Sequence, residues 1–152
     1  LKTHLVVLDT AVADLTAELH DPVDLLFGAQ LGGGTDINRA LPYCQGLIKR
    51  PSDTLLILIS DLFEGGDQED MIRRARAIVG SGVQLIALLA LNDDGAPRFD
   101  HGVAETFAAL GIPAFACTPD VFPDLMAAAI NRHDLGQWAA ARNIVTAHQV
   151  KA

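Results

Sequence analysis

Concentrated positive charge is missing from this sequence. Lys+Arg number 11 against Asp+Glu 19, a formal net charge of −8, and no Lys/Arg cluster interrupts the deficit. That argues against nucleic acid and anionic membrane surfaces as partners, because both need a basic footprint. It is compatible with binding a cation. Long apolar runs are also missing: none reaches the length of a membrane span, and no signal peptide is visible. Paired cysteines are absent too, since Cys44 and Cys117 are far apart and neither stands in a CxxC context. They read as buried thiols of a reducing, cytoplasmic compartment, with a disulfide as the alternative that no local motif supports. The common chemical motifs do not occur. There is no GxxxxGK[ST], HExxH or GxSxG, and Gly32-Gly33-Gly34 does not extend to GxGxxG because Ile37 takes the last position. His4, His20, His101, His133 and His148 are scattered without zinc-ligand spacing and read as surface or interface histidines.

What is present is a folded chain of 152 residues, long enough for one domain with a full core, with 50% hydrophobic and 20% charged residues. Its organising feature is Thr54 to Ile59, an apolar run without alternation that is followed at once by Ser60-Asp61 and then Gly65-Gly66. A run with no polar face predicts a central strand of a parallel sheet covered on both sides. An acid where such a strand stops lies at the carboxyl edge of the sheet, where open α/β folds bind ligands. The plain alternative for Asp61 is a helix cap or loop acid.

Before this run, His4–Asp9 and Thr10–Thr16 predict a tight antiparallel hairpin at a sheet edge. Asp21-Pro22 opens a short helical segment, Val23–Ala29. A further helix follows Gly32-Gly33-Gly34, capped by Thr35 or Asp36 and burying Ile37, Leu41 and Ile48, with Tyr43 and Leu47 as further candidates for the buried side and Pro42 placed to bend or break it. After the central run, Asp67, Glu69 and Asp70 sit where a helix start favours negative charge. Met71, Ile72, Ala75, Ile78 and Val79 form the apolar face of that helix; Arg73, Arg74 and Arg76 read as its solvated face, and Gly80-Ser81-Gly82 stops it. Val83–Leu91 predicts another interior strand, then a helix from His101, a strand over Ile112–Cys117, a helix carrying Phe122, Leu125, Met126, Ala129 and Ile130, and a helical tail from Asp134 to about Val145. Alternation of this kind after a hairpin predicts an α/β three-layer sandwich with a mostly parallel sheet, Rossmann-like in outline.

Thr35 and Asp61 are then the chemical candidates. A hydroxyl and a carboxylate on neighbouring loops of one sheet edge are hard oxygen donors, suited to Mg²⁺ or Mn²⁺ with water filling the other positions. Gly33 and Gly34 let the backbone approach closely, and Asp36, Ser60 and Glu64 are accessory positions beside the pair. Asp9-Thr10-Ala11-Val12-Ala13 ends a strand with an acid but lacks the serines of a cation loop.

The order of hairpin, Gly32-Gly33-Gly34-Thr35-Asp36-Ile37 opening a helix, and Leu58-Ile59-Ser60-Asp61 at a strand end resembles the von Willebrand factor A (VWA) fold over roughly residues 4 to 132. Ser60-Asp61-Leu62-Phe63-Glu64-Gly65-Gly66 is similar to bacterial intracellular members of the CoxE-like kind, often encoded with MoxR-type AAA ATPases. The resemblance implies a metal-ion-dependent adhesion site built from a DxSxS loop, a distant Thr matched by Thr35, and a distant Asp matched by Asp61. It further implies a non-enzymatic protein-interaction module, completed by a carboxylate from a protein partner, with a MoxR-type ATPase as one such partner.

The sequence departs from that pattern in one respect: no DxSxS occurs, and the chain starts, at Leu1-Lys2-Thr3, on what should be the second strand. The expectation is a single VWA-like domain over 1–152 forming the C-terminal portion of a longer protein, with metal binding by these residues alone being weak. A strand supplied by another chain and a vestigial site are the alternatives. The missing first strand would leave one edge of the Thr54–Ile59 strand without its partner. The hairpin, an upstream segment, or a strand exchanged in a two-fold homodimer would fill it. The rival function is a phosphoacceptor or hydrolase domain using Asp61, with Asp9, Glu64 or His101 as base. No Lys follows the later strands, as a receiver-like phosphoacceptor would need.

Overall fold

The two unbroken apolar runs become the two longest strands. The computed structural model describes residues 3–4, 6–8, 12–14, 37–60, 62, 67–89, 100–116, 119–142 and 145–146. The chain forms two compact units, Leu1–Lys49 with Glu64–Arg74, and Arg50–Phe63 with Ala75–Ala152.

The second unit holds the main sheet. Strand β3 (Leu55–Ser60) pairs in parallel with β4 (Gln84–Leu89), in register from Leu55 opposite Gln84 to Ser60 opposite Leu89. β4 pairs in parallel with β5 (Ala114–Ala116), and β5 pairs antiparallel with the short β6 (Val145–Thr146). The order is β3-β4-β5-β6, so the sheet is parallel over three strands and closes with one reversed strand. Ile86 and Leu88 are buried on one face of β4, and Leu85, Ala87 and Leu89 are buried on the other. Because side chains alternate along a strand, this double burial means that the sheet is covered on both faces. The α/β class with a mostly parallel sheet is thus the observed one.

The run expected to be central is not the most enclosed. Among the described residues β3 has a neighbouring strand on one side only, and its Ile59 is 51% exposed. β4, flanked on both sides, takes the central place. An apolar run reports that both faces are to be covered, but not how many strands lie beside it.

One side of the sheet is packed by two helices with the same spacing of apolar residues. α4 (Phe122–Ile130) buries Leu125, Ala128 and Ala129, and α5 (Leu135–Ala141) buries Leu135, Trp138 and Ala139. Both sets recur at i, i+3, i+4, one helical face. They form a single cluster with Ile86, Leu88 and Phe115. Each large side chain buried there contributes about 1.5–3 kcal/mol of transfer free energy. Ile130, expected on that face, is 49% exposed at the end of its helix. α3 (His101–Ala109) buries Val103, Ala104 and Phe107. α3 and α5 start on aspartate caps: Asp100 accepts from the Val103 amide and Asp134 from the Gln137 amide, each at 3.0 Å. The tail expected as helix to Val145 stops at Ala141, and β-branched Val145 and Thr146 join the sheet instead.

The turn into β4 requires its glycine. Gly82 has φ 109°, and a Cβ there would meet the backbone of Ser52 at 3.5 Å. Ser52 belongs to a 3₁₀ turn (Pro51–Asp53) that feeds β3, and its carbonyl accepts a hydrogen bond from the Arg132 guanidinium.

In the first unit, β1 (Val6–Leu8) and β2 (Val12–Asp14) pair antiparallel, Val7 opposite Ala13, as a two-stranded ladder of their own. Both lie against α1 (Ile37–Leu47), which buries Ile37, Ala40 and Leu41. Pro42 lies inside α1 and removes one amide donor, yet the helix continues to Leu47. Cys44 on this helix is half-buried and carries a thiol, not a disulfide. The segment expected as a short helix at 23–29 lies outside the described residues.

Candidate functional site

The carboxyl end of β3 is the place where sequence reasoning put the chemistry. Ser60, its last residue, is 8% exposed, the one buried polar side chain among the described residues. Its hydroxyl oxygen accepts a hydrogen bond from the Leu62 amide at 3.0 Å. Leu62 has φ 63°, a left-handed conformation that costs a branched L-residue energy, and it has no solvent exposure. A serine bonding to the amide two residues on is a local turn that competes with continuing the strand. The strand therefore leaves the sheet at Ser60 by a side-chain-held turn, pinned on its far side by a fully buried leucine. Leu62 was not singled out from sequence, because nothing in Ser60-Asp61-Leu62 marks a positive φ without a glycine. Ser60, expected as an accessory donor, uses its buried oxygen on this turn.

Thr35, Asp61, Gly33, Gly34, Asp36 and Glu64 lie outside the described residues, as does Asp9. What the structure describes is the elements that flank them. α1 starts at Ile37, two positions after Thr35, and β3 ends at Ser60, one position before Asp61. Among the described residues no group of three or more His, Cys, Asp or Glu is arranged to hold a metal ion.

The next helix, α2 (Gln68–Gly80), starts with acids. Asp67 accepts from the Asp70 amide at 3.0 Å, a side-chain cap, and Glu69 and Asp70 lie in the first turn, where the helix dipole favours negative charge. The Asp70 carboxylate does more than complement the dipole. It accepts from Asn38 Nδ2 in the first turn of α1 at 3.0 Å and from Arg74 Nε at 3.1 Å, and it is ion-paired with Arg73. Its side chain is 16% exposed, so these bonds are shielded from bulk water. Arg74, expected on a solvated face, is thus engaged at a half-buried carboxylate, while Arg73 and Arg76 are exposed. The Asn38–Asp70 contact joins positions 32 apart and has no local sequence signal.

A groove of about 490 Å³ opens at the opposite, amino edge of the main sheet, between Val83 and Gln84 of one strand start and Pro113 and Ala114 of the next. Its walls are mainly apolar, and it lies away from the Ser60 edge. No helix among the described residues is long and apolar enough to cross a membrane.

A parallel sheet covered on both faces, with a strand that turns away sharply at its carboxyl end, defines a Rossmann-like α/β domain, a class of fold that commonly binds ligands at that edge. Over residues 1–126 the chain matches the family described as VWA domain containing CoxE-like protein, and it belongs to that family. It is 40% identical over 119 residues to the uncharacterized protein YehP of Escherichia coli (strain K12), an overlap covering 78% of this chain and 32% of that protein. The chain thus spans about a third of the length of that curated relative. No solved structure matches it. Domains of the VWA type serve in general as protein-interaction modules.

Proposed function

We propose that this chain is a non-enzymatic protein-interaction module in which Thr35 and Asp61 are donors to a Mg²⁺ or Mn²⁺ ion of the adhesion-site kind. Family membership over residues 1–126 is the observation that carries this reading. The donor chemistry agrees with it: one hydroxyl and one carboxylate are hard ligands that leave positions for water and for a carboxylate from the partner. The Ser60–Leu62 turn supports it as well, because the strand ends one residue before Asp61. Thr35 and Asp61 would hold the ion, which when bound would supply an electrophilic position for an acidic side chain of the partner. Thr35 and Asp61 alone offset little of the dehydration of Mg²⁺, so binding by these residues is weak until further donors join. A MoxR-type AAA ATPase is the partner that the CoxE-like character suggests. The proposed setting is cytoplasmic.

The test is capture of a purified MoxR-type ATPase on the immobilised chain in Mg²⁺ and in chelator, with Thr35→Ala and Asp61→Ala beside wild type. Capture that needs Mg²⁺ and is lost in both variants is the expected result. Metal-independent capture, unchanged in both variants, overturns the metal role. Stable labelling of Asp61 by a small phosphodonor would instead establish the phosphoacceptor alternative.

A further inference from the structure

The groove at the amino edge of the main sheet is built wholly from the second unit and shares no residue with the Ser60 edge. Val83 and Leu85, Ala114 and Phe115, and Leu135 of α5 bring buried apolar side chains to its lining. Its volume of about 490 Å³ falls within the range of ligand pockets, about 300–1,000 Å³. We infer that this groove docks an apolar segment of a protein partner that carries a basic side chain, with the cation set against Asp134. The protein nature of the occupant rests on the general role of VWA-type domains as interaction modules; the metal-site reading of Thr35 and Asp61 is not needed for it.

Charge selects the occupant. Asp134 is the one charged residue among those lining the groove, and no Lys, Arg or His stands there to neutralise it. Its Oδ1 accepts from the Gln137 amide at 3.0 Å, which leaves Oδ2 for a further donor. A Cβ at Gly136 would stand 3.3 Å from that Oδ1, so the glycine keeps the carboxylate uncovered on one side. Val79 and Ala108 belong to the last turns of α2 and α3, so two helix carboxyl ends reach the same groove. Neither last turn holds a basic residue, and each end carries a partial negative charge. The field in the groove therefore repels an anion, in keeping with a net charge of −8. A Lys or Arg side chain satisfies both parts of the lining, its aliphatic stem on the apolar wall and its charged head at the carboxylate. Half-buried Gln84 adds a side-chain amide, a donor and an acceptor suited to a main-chain group of the same segment. That last feature favours a peptide over a lone amine.

The probe is the blocked peptide acetyl-Leu-Arg-Leu-Leu-amide, titrated into the full chain in the presence of chelator while amide NMR signals are followed. Its Glu counterpart and n-hexylamine are titrated alongside. The Arg peptide is expected to shift the signals of Gln84, Ala114 and Gly136 saturably. The Glu peptide should bind at least about fivefold more weakly, and n-hexylamine, which lacks main-chain groups, should also bind more weakly than the Arg peptide. Asp134→Asn removes the charge but keeps the cap, since the Asn oxygen accepts the same amide. It should melt close to wild type and bind the Arg peptide about fivefold more weakly. Ala140→Trp places a large ring at an exposed lining position and should abolish the shifts in a chain that still melts cooperatively. The inference is overturned if the two peptides bind alike, or if either folded variant binds the Arg peptide as wild type does. It is also overturned if n-hexylamine matches the peptide, which would make free amines the ligand. Shifts at the same signals that depend on protein concentration without peptide would make a second copy the occupant and overturn it too. Because chelator is present throughout, loss of the Thr35–Asp61 metal reading leaves this result unchanged, and failure here leaves that reading standing.

Discussion

Leu62 allows the backbone strain at the candidate edge to be measured apart from side-chain packing. Its φ of 63° is left-handed and its side chain is fully buried. Leu62→Ala should cost about 2–5 kcal/mol, as for other buried leucines truncated to alanine. At an ordinary buried position Gly is worse than Ala, by about 0.5–1 kcal/mol of backbone entropy and about 0.8 kcal/mol for the lost methyl. At position 62, glycine also escapes the left-handed penalty, about 1–2 kcal/mol. These contributions nearly cancel, so Leu62→Gly should be as stable as Leu62→Ala or more so. Leu88, a buried leucine within the extended strand β4, is the internal reference: Leu88→Gly should fall below Leu88→Ala by about 1.5 kcal/mol. Urea unfolding resolves this gap, since a slope of about 1–3 kcal/mol/M turns it into a midpoint difference of roughly 0.5–1.5 M. If Leu62→Gly lies below Leu62→Ala by as much as the Leu88 pair does, the left-handed strain assigned to this turn is not there.

Other substitutions test the neighbouring devices. Ser60→Ala removes the acceptor of the buried Leu62 amide and should cost about 1–3 kcal/mol, with Ser60→Thr retaining most of the stability; chemical denaturation reads both. Gly82→Ala forces a Cβ into φ 109° beside Ser52 and should lower stability by about 1–2 kcal/mol, a drop of a few degrees in melting temperature. Asp100→Ala and Asp134→Ala each remove a helix cap and should cost about 1 kcal/mol by the same measurement, with Asn at either position recovering most of it.

The sequence made legible whatever depends on local pattern. The apolar runs within Leu55–Ser60 and Gln84–Leu89 are parallel strands, the Leu125/Ala129 spacing faces the core, and Gly82 ends the helix before β4. Features that depend on what lies across space were not legible. Nothing in Thr54–Ile59 distinguishes a strand with neighbours on both sides from β3, whose Ile59 is half exposed. Val145-Thr146, a pair too short to show alternation, becomes a strand only because β5 offers an open edge. At the candidate site, Asp70 was readable as a helix-start acid from its place in α2, but its bond to Asn38 joins two helices and could not be anticipated. Ser60 drew attention as a donor because it adjoins Asp61. Its actual bond, to the amide of Leu62, depends on a backbone turn that a leucine gives no reason to expect.

These polar contacts are better placed for holding geometry than for adding stability. A hydrogen bond contributes only about 0.5–1.5 kcal/mol net, whereas its direction is tightly restricted. The main sheet needs few of them, because Ile86, Leu88, Phe115, Leu125 and Trp138 already hold one another by burial. The Ser60–Leu62 and Asn38–Asp70 bonds, by contrast, lie at a strand end and at a helix start, one residue from Asp61 and three from Thr35 in sequence. For the cation proposed above, such restriction would matter more than extra attraction, because donors that must first be gathered lose in ordering entropy what they gain in coordination. A left-handed leucine is tolerable on the same argument. About 1–2 kcal/mol of local strain is small beside the packing that enforces it, and relaxing the turn would uncover a buried side chain.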